Sequence, residues 1–380
     1  AETYDEATGK WVRENIKCSM QSMHPTAKNT TRYVFSKPVR AKRIHFGLHK
    51  YYNAACNYSE IKFFKYDSLE DDVYNLYADD MHVTLRDDVD QTKIDALVAR
   101  ANTEDEVHHE YHPKQSLLLS ELEYAEELLT NGDIDQSVFN VKSDITKTGL
   151  ANNFQGGLSG LQPLGYVAQT GNKINVYVGQ KGKTIGQRVD ARLVFTQYHP
   201  EAAAWRAGEV TLYQGKNEIE IPNVNTLDVE KGGSLYIVHT SANVKNNPIK
   251  VRVSGATKIP VLDLHRTIGM DRATDDSEDW DEKITAYVTE LKAYCENMQA
   301  AHAEHQEAVG GFKFVIGDNC FLNSSEIVLD NVLMSVPASQ IYNALGGNKG
   351  KTVEEMTAQL HGSMVSMNQM LKQFYKDRGF

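Results

Sequence analysis

The most constraining feature of the sequence is the stretch from Leu161 to Gly255, which contains at least six segments of alternating apolar and polar residues. Alternation with a period of two is typical of half-buried β-strands. Turn-forming residues separate the segments, for example at Gly171-Asn172, Gly215-Lys216-Asn217 and Asn246-Asn247-Pro248. Short strands joined by such turns favour antiparallel pairing in two packed sheets. We therefore expect an antiparallel β-sandwich over residues 149–256.

Residues 31–66 show the same alternation. The three segments are Arg32–Phe35, Ala41–His49 and Glu60–Tyr66, and Lys37-Pro38 and Tyr51–Ala55 separate them. This pattern predicts the strands of another β-sandwich, which we assign to residues 1–67.

Between Ser68 and about Thr130 the apolar period changes from that of a strand to that of a helix. The pattern predicts three short helices, and we assign residues 68–148 to a helical spacer. In the third helix it places four acidic residues outward: Glu121, Glu123, Glu126 and Glu127. The glycine-rich segment 149–160 is the best candidate for a linker to the sandwich that follows.

Residues 257–380 have a mixed α/β pattern. Asp279 and Glu282 form a capping pair, which predicts a helix with an apolar stripe from Ile284 to Met298. Strands are predicted at 312–316 and 327–336. A final helix is predicted from about Thr352, with an apolar stripe that includes Val353, Met356, Leu360, Met364, Met367, Leu371 and Phe374.

Composition places the chain among ordinary globular proteins. Its 380 residues are 41% hydrophobic and 24% charged, which suffices for several domains with their own cores. The formal charge of -11 argues against a nucleic-acid partner, because phosphate binding needs clustered Lys and Arg.

No apolar run is long enough to predict a transmembrane segment, and the first residues do not resemble a secretion signal. We expect that a signal was removed or that the chain is an interior fragment.

Four cysteines leave two interpretations open. Cys18 and Cys56 fall in one predicted domain, and Cys295 and Cys320 fall in another. Two disulfides within domains are compatible with an oxidising compartment, and four buried free thiols are the favoured alternative. No Cys-x-x-Cys occurs, so zinc ribbons and thioredoxin-type redox chemistry are not predicted.

The sequence contains no His-Glu-x-x-His motif. In that motif two His bind zinc from one face of a helix and the Glu serves as general base. The densest His cluster, 108–112, has the different order His-x-Glu-x-His and ends at Pro113, so a solvated loop is favoured over a metal site. We therefore assign no catalytic residue, no metal ligand and no cofactor to this chain.

Several segments of the sandwich resemble the region that leads into enhancin-like, mucin-degrading zinc metallopeptidases of peptidase family M-60. They are Leu164–Val167, Lys173–Gly179, Leu193–Trp205, Gly215–Pro222 and Gly232–Ile237. The run Asp330–Ala338 is similar to the strand that these peptidases carry ahead of their zinc-binding helix. The resemblance covers about residues 161–345 and implies the opening part of a gluzincin-like catalytic domain.

The N-terminal strands resemble the closing strands of a discoidin-type (coagulation factor 5/8 type C) domain, a fold also used by family 32 carbohydrate-binding modules. The segments that carry this resemblance are Phe35–Phe46 and Tyr58–Phe64. In sugar-binding relatives, aromatic residues in the loops stack on sugar faces. Tyr51, Tyr52 and Asn53 stand in the corresponding loop and are our candidate glycan-binding residues. The alternative is that one of the two tyrosines belongs to the core.

Taken together, the resemblances imply a multidomain, mainly β protein in which two β-sandwiches are joined by a helical spacer and followed by an α/β domain. They imply a non-catalytic N-terminal portion of a secreted or cell-surface zinc metallopeptidase that acts on mucin-like glycoproteins. Zinc would belong to the complete enzyme, and glycans would be the partners. Two alternatives are a non-catalytic glycan-binding or adhesion protein and a structural spacer without a ligand.

Overall fold

The computed structural model describes residues 2–5, 7–13, 18–22, 31–35, 44–45, 67–107, 109–138, 160–199, 204–223, 232–241, 246–264, 280–308, 322–329 and 332–377. The chain separates into two compact units, residues 1–70 and 71–380. The described part is mostly β, with several antiparallel sheets and six α-helices.

The described part of the first unit consists mainly of short strands. They are β1 (Glu2–Asp5), β2 (Lys10–Arg13), β3 (Cys18–Ser22), β4 (Thr31–Phe35) and β5 (Ile44–His45). One antiparallel sheet has the order β2-β1-β5, and β3 pairs with β4 in a second sheet. The predicted strand at 60–66 lies outside the described residues, so the discoidin-like assignment stays a prediction.

Three helices occupy the segment assigned to a helical spacer: α1 (Leu69–Tyr74), α2 (Gln91–Ala101) and α3 (Gln115–Asn131). The Asp90 side chain caps α2 by accepting a hydrogen bond from the backbone N–H of Lys93 at 2.8 Å. The apolar face of α3, which includes Leu118, Leu122 and Leu128, is buried.

The prediction that Glu121 points outward is wrong. Glu121 lies three residues after Leu118 and four before Ala125, so its position on α3 belongs to the buried face. Its side chain has no solvent exposure. Glu123 and Glu126 are exposed, as predicted, and Glu127 is half-buried.

The described residues between 136 and 258 form two antiparallel sheets. Their strands are β6 (Gln136–Ser137), β7 (Gln162–Gln169), β8 (Lys173–Gln180), β9 (Arg188–His199), β10 (Ala204–Tyr213), β11 (Gly215–Glu220), β12 (Gly232–His239), β13 (Ile249–Ser254) and β14 (Thr257–Lys258). The sheet orders are β10-β9-β12-β7-β14 and β11-β8-β13-β6. One hydrophobic cluster contains buried side chains of both sheets, among them Phe195, Leu235 and Ile237 from the first and Val176, Val178 and Val251 from the second. The side chains that face inward from the two sheets therefore form a common core.

The segment after α1 lies closely against β8. A Cβ atom added at Gly179 would clash with the Val83 side chain and would lie 2.7 Å from the carbonyl oxygen of Met81. That same carbonyl accepts a hydrogen bond from Gln214 Nε2 at 2.8 Å. Only glycine allows so close an approach of two backbones, which joins the residues around 81–83 to the four-stranded sheet.

The C-terminal part is an α/β layer. A mixed sheet contains β15 (Val261–Leu264), parallel to β16 (Ser325–Leu329), and β17 (Val332–Val336), antiparallel to β16. The helices are α4 (Trp280–Ala308), α5 (Ala338–Leu345) and α6 (Val353–Asp377). A hydrophobic cluster joins the sheet to all three helices through buried side chains that include Leu264, Ile327, Trp280, Ile284, Ala338 and Met356.

The final helix begins with a reciprocal capping box. The backbone N–H of Thr352 donates to Glu355 Oε2 at 2.8 Å, and the backbone N–H of Glu355 donates to Thr352 Oγ1 at 3.3 Å. Met356, Leu360 and Met364 are buried, which confirms the core side of the predicted stripe, whereas Phe374 is exposed.

The single strand predicted over 327–336 is wrong. The structure has two antiparallel strands there, with Leu329 paired to Val332. The predicted strand at 312–316 lies outside the described residues. Asp330-Asn331, two residues typical of tight turns, interrupts the apolar run and is the sequence signal for a hairpin.

Candidate functional site

The candidate site is the β16–β17 hairpin and the side chains packed beneath it. In the described part of the chain β17 is the edge strand of its sheet, since it pairs with β16 alone. It corresponds to the run that resembles the peptidase strand. An edge strand presents unpaired backbone N–H and C=O groups, to which an extended peptide can add as a further strand.

Beneath the hairpin lies a buried carboxyl group. Glu326 is in the middle of the sheet on β16, and its side chain is only 1% exposed. Its Oε1 accepts a hydrogen bond from Tyr236 Oη at 2.6 Å and another from Ser335 Oγ at 3.1 Å. Ser234 adds a third hydroxyl. We call Glu326, Tyr236, Ser335 and Ser234 the Glu326 cluster.

The Glu326 cluster joins two sheets because its members come from three strands. Along β16, Ile327 and Leu329 belong to the hydrophobic cluster that contains the helices, so Glu326 and Val328 face the other side of the sheet. Tyr236 and Ser234 reach that side from β12 of the five-stranded sheet, and Ser335 is the register partner of Glu326 on β17.

Burial raises the pKa of the Glu326 carboxyl to about 7, and the hydrogen bonds from Tyr236, Ser335 and Ser234 partly oppose the rise. The other oxygen, Oε2, is buried and has no hydrogen-bond partner. Among the described residues no Lys, Arg or His forms an ion pair with Glu326. A carboxyl in this setting suits storage of a proton more than attack on a substrate, because the group is closed off from solvent.

On the helix side of the same strand a second polar contact is present. Tyr287 Oη of α4 lies 2.7 Å from Ser325 Oγ, which donates to the carbonyl of Pro260 at 3.1 Å. Burial raises the pKa of the Tyr287 hydroxyl, so it stays protonated and acts as donor. The start of β16 is therefore fixed on both faces.

A second buried polar group lies in the helical segment. Glu121 Oε2 is 3.2 Å from His82 Nδ1 and 3.3 Å from Tyr77 Oη, and Glu121 Oε1 accepts from the backbone N–H of Ile185 at 3.1 Å. The imidazole of His82 stacks on the Tyr77 ring at 4.2 Å. The tautomer that carries its proton on Nδ1 lets His82 donate to Oε2 of Glu121. These contacts fix α3 to the loop before β9.

The glycan-binding candidates Tyr51, Tyr52 and Asn53 lie outside the described residues. Of the cluster at 108–112, His108 also lies outside them, His109 has a left-handed backbone with φ of 53°, and His112 Nδ1 accepts from the N–H of Lys114 at 3.2 Å. No group of three or more His, Cys, Asp or Glu side chains in the described ranges could hold a metal ion. The described residues thus do not fit a zinc site, and no chemical step is assigned to zinc here.

Cys295 is a free thiol on α4, and burial raises its pKa to about 11. Such a thiol is protonated and unreactive at neutral pH. Because Cys295 is free, the structure does not support the predicted disulfide that uses it. Cys56 lies outside the described residues, so the pairing of Cys18 with Cys56 stays a prediction. None of the helices in the part of the chain that is described has the length and apolar character needed to span a bilayer.

No family model matches the sequence, and no curated protein matches it. Solved metallopeptidases are among the similar structures. A Clostridium perfringens ZmpB structure with two CBM32 domains and the M60 catalytic domain is 22% identical, covers 75% of this chain and 26% of its own, and has a TM-score of 0.48. The M60 catalytic domain of C. perfringens ZmpC in complex with the sialyl T antigen is 20% identical, covers 58% and 36%, and has a TM-score of 0.36.

A metallopeptidase from Bacteroides thetaiotaomicron is 14% identical, covers 60% of this chain and 34% of its own, and has a TM-score of 0.27. The chain spans about a quarter of the length of the ZmpB structure. At these identities and TM-scores the likeness assigns neither a family nor an activity to this chain.

Sequence reasoning missed the two buried carboxyls, Glu326 and Glu121. Each had a signal. Glu326 is the one charged residue in the run Ser325–Leu329, which is buried throughout, and Glu121 occupies a core position of its helix. An acidic residue at a position where periodicity predicts an apolar one indicates a buried polar contact.

Proposed function

We propose that this chain is the non-catalytic N-terminal portion of a secreted or cell-surface zinc metallopeptidase of the M-60 type that acts on mucin-like O-glycoproteins. The observation that carries the proposal is the location of the run 330–338, which resembles the strand ahead of the zinc-binding helix in these peptidases. Its described part forms the edge strand β17 and the start of α5. An edge strand at this point suits the binding of an extended peptide beside a catalytic centre.

The chain by itself supplies scaffold and binding surfaces. The 380 residues contain no His-Glu-x-x-His, the arrangement through which such enzymes bind zinc and activate water. The zinc ligands and the general base would come from residues outside this sequence. The two-sheet β region would then hold the α/β part in place through the Glu326 cluster, and the contacts of Glu121 would join the helical segment to the two-sheet region.

We expect the purified 380-residue chain to be inactive on mucin and to bind no stoichiometric zinc. The measurement is the zinc content after dialysis, by metal analysis, together with electrophoresis of mucin incubated with the chain and zinc. An active mucin-degrading metallopeptidase serves as the positive control. One equivalent of zinc per chain, or zinc-dependent cleavage of the mucin, would overturn the proposal.

We further propose that the N-terminal module binds glycans through Tyr51, Tyr52 and Asn53. Replacing both tyrosines by Ala is expected to weaken binding on a glycan array at least tenfold, because stacked aromatic rings supply most of the apolar contact with a sugar. The matched control is Tyr213→Ala, which removes a tyrosine that is 47% exposed on β10. Equal glycan binding by the double variant and by Tyr213→Ala would contradict the proposal that Tyr51 and Tyr52 bind glycans.

The glycan-binding or adhesion alternative makes a different prediction. It expects glycan binding that depends on Tyr51 and Tyr52 in a gene that encodes no His-Glu-x-x-His motif. The peptidase proposal expects that motif to be encoded after the codon for Phe380.

A further inference from the structure

We propose that the Glu326 cluster is a pH-sensitive contact that joins the five-stranded sheet to the edge strand β17, tight when Glu326 is protonated and weakened when it is ionised. The proposal does not depend on the proposed function. It rests on the position of the carboxyl between two sheets and on the partners that surround it.

Among the residues that the structure describes, hydroxyl groups surround Glu326 and no positively charged side chain pairs with it. The titratable side chains on the neighbouring strands are Tyr236 and His239 on β12, Tyr166 on β7, Lys258 on β14 and Asp263 on β15. The helix α4 packs on the opposite face of the sheet, where its Tyr287 hydroxyl contacts Ser325. Of the titratable residues, Tyr236 alone hydrogen-bonds Glu326, and Lys258 pairs with Glu290 at 2.9 Å. The strand β17 carries no titratable side chain.

Ionisation of the Glu326 carboxyl would therefore create a negative charge that is stabilised only by hydrogen bonds from hydroxyl groups to Oε1. Oε2 is buried without a partner, and an unpaired charge in such a place is unfavourable. Separation of the two sheets, or local opening of β17, would bring water to this oxygen. Ser335 on β17 is exposed, and its hydroxyl donates to the Glu326 carboxyl. On this side a single side chain therefore separates the carboxyl from solvent.

The direction of the pH effect follows from linkage. The pKa of Glu326 in the closed contact is about 7, above its ordinary value of 4.5. The closed contact therefore binds the proton more tightly than the open state does. Its stability relative to the open state is fully present below the ordinary pKa of 4.5 and is lost as the pH rises through the raised pKa of about 7. Between the two values the opening equilibrium constant is expected to increase about tenfold per pH unit.

The experiment measures amide hydrogen exchange of β16 and β17 as a function of pH, after correction for the intrinsic pH dependence of exchange. In the wild-type chain we expect opening to increase by roughly fortyfold between pH ~5 and pH ~7. Glu326→Gln removes the titrating group with little change in shape and should abolish this increase. The control Glu282→Gln, at an exposed position of α4, should retain it.

Tyr236→Phe provides a second test, because its hydroxyl lowers the pKa of Glu326. In this variant we expect the increase in opening of β16 and β17 to extend to higher pH than in the wild-type chain. Carbon NMR of labelled glutamate in the wild-type chain reports the titration of the Glu326 carboxyl directly, without any substitution. A Glu326 resonance that titrates at the ordinary pKa of glutamate, or a pH dependence of exchange that persists in Glu326→Gln, would overturn the proposal.

Discussion

Replacing Glu121 by Ala is expected to lower the free energy of unfolding by about 3–5 kcal/mol. Its carboxylate accepts from His82, from Tyr77 and from the backbone N–H of Ile185. The substitution removes the partner of His82 and of the Ile185 N–H and opens a cavity at a site with no solvent exposure. The Tyr77 hydroxyl keeps its hydrogen bond to the backbone carbonyl of residue 121 at 2.8 Å. The measurement is urea unfolding followed by far-UV circular dichroism at neutral pH.

The control for this prediction is Glu123→Ala on the same helix. Glu123 is exposed, so its replacement should change the unfolding free energy by no more than about 0.5 kcal/mol. Glu121→Gln should fall between the two, because an amide keeps the size of the side chain and one acceptor oxygen. Equal effects of Glu121→Ala and Glu123→Ala would show that the buried contacts of Glu121 do not stabilise the fold.

Replacing Trp280 by Ala should cost about 3–5 kcal/mol of unfolding free energy. The Trp280 side chain is 1% exposed and lies in the hydrophobic cluster that joins α4 to the mixed sheet and to α6. Its ring also meets the imidazole of His361 edge-on, with the centroids 6.3 Å apart. Loss of the indole removes a large buried apolar area and leaves a cavity between α4 and α6. Urea unfolding followed by circular dichroism gives the change.

Met370→Ala is the matched control in the same layer, because the side chain of Met370 is 67% exposed on α6. We expect this variant to keep the unfolding midpoint of the wild-type chain within error. A similar loss for both variants would contradict the assignment of Trp280 to the core of the α/β layer.

The sequence predicted the type of most described elements, because strand and helix periods are local properties. The alternation of β13 is visible residue by residue, and so is the apolar stripe from Val353 to Met364 on α6. The sequence did not predict which strands become neighbours. Tyr236 and Glu326 are 90 residues apart in the chain, and only the packing of two sheets brings them within 2.6 Å.

The errors concern polar residues that tertiary contacts bury. Glu121 was placed outward because charged side chains in a helix usually face solvent. Its burial depends on Ile185, which lies 64 residues further along the chain and which no local pattern connects with α3. The hairpin at β16–β17 was missed although Asp330-Asn331 marked it, since the apolar residues on either side of that pair read as one strand.

Tyr51, Tyr52 and Asn53 stay predictions from the sequence. Their assignment rests on a resemblance and on the suitability of aromatic rings for sugar stacking, and they lie outside the described residues. The glycan-array comparison with Tyr213→Ala tests this assignment independently of the peptidase proposal.

The central claim is that this chain supports a zinc peptidase and does not contain its catalytic residues. The most direct measurement compares mucin cleavage by the 380-residue chain with cleavage by the longest protein that its gene encodes. We predict that the longer protein releases mucin fragments, that a zinc chelator abolishes the release, and that the 380-residue chain releases none. Cleavage by the shorter chain, or the absence of cleavage by the longer protein, would contradict the claim.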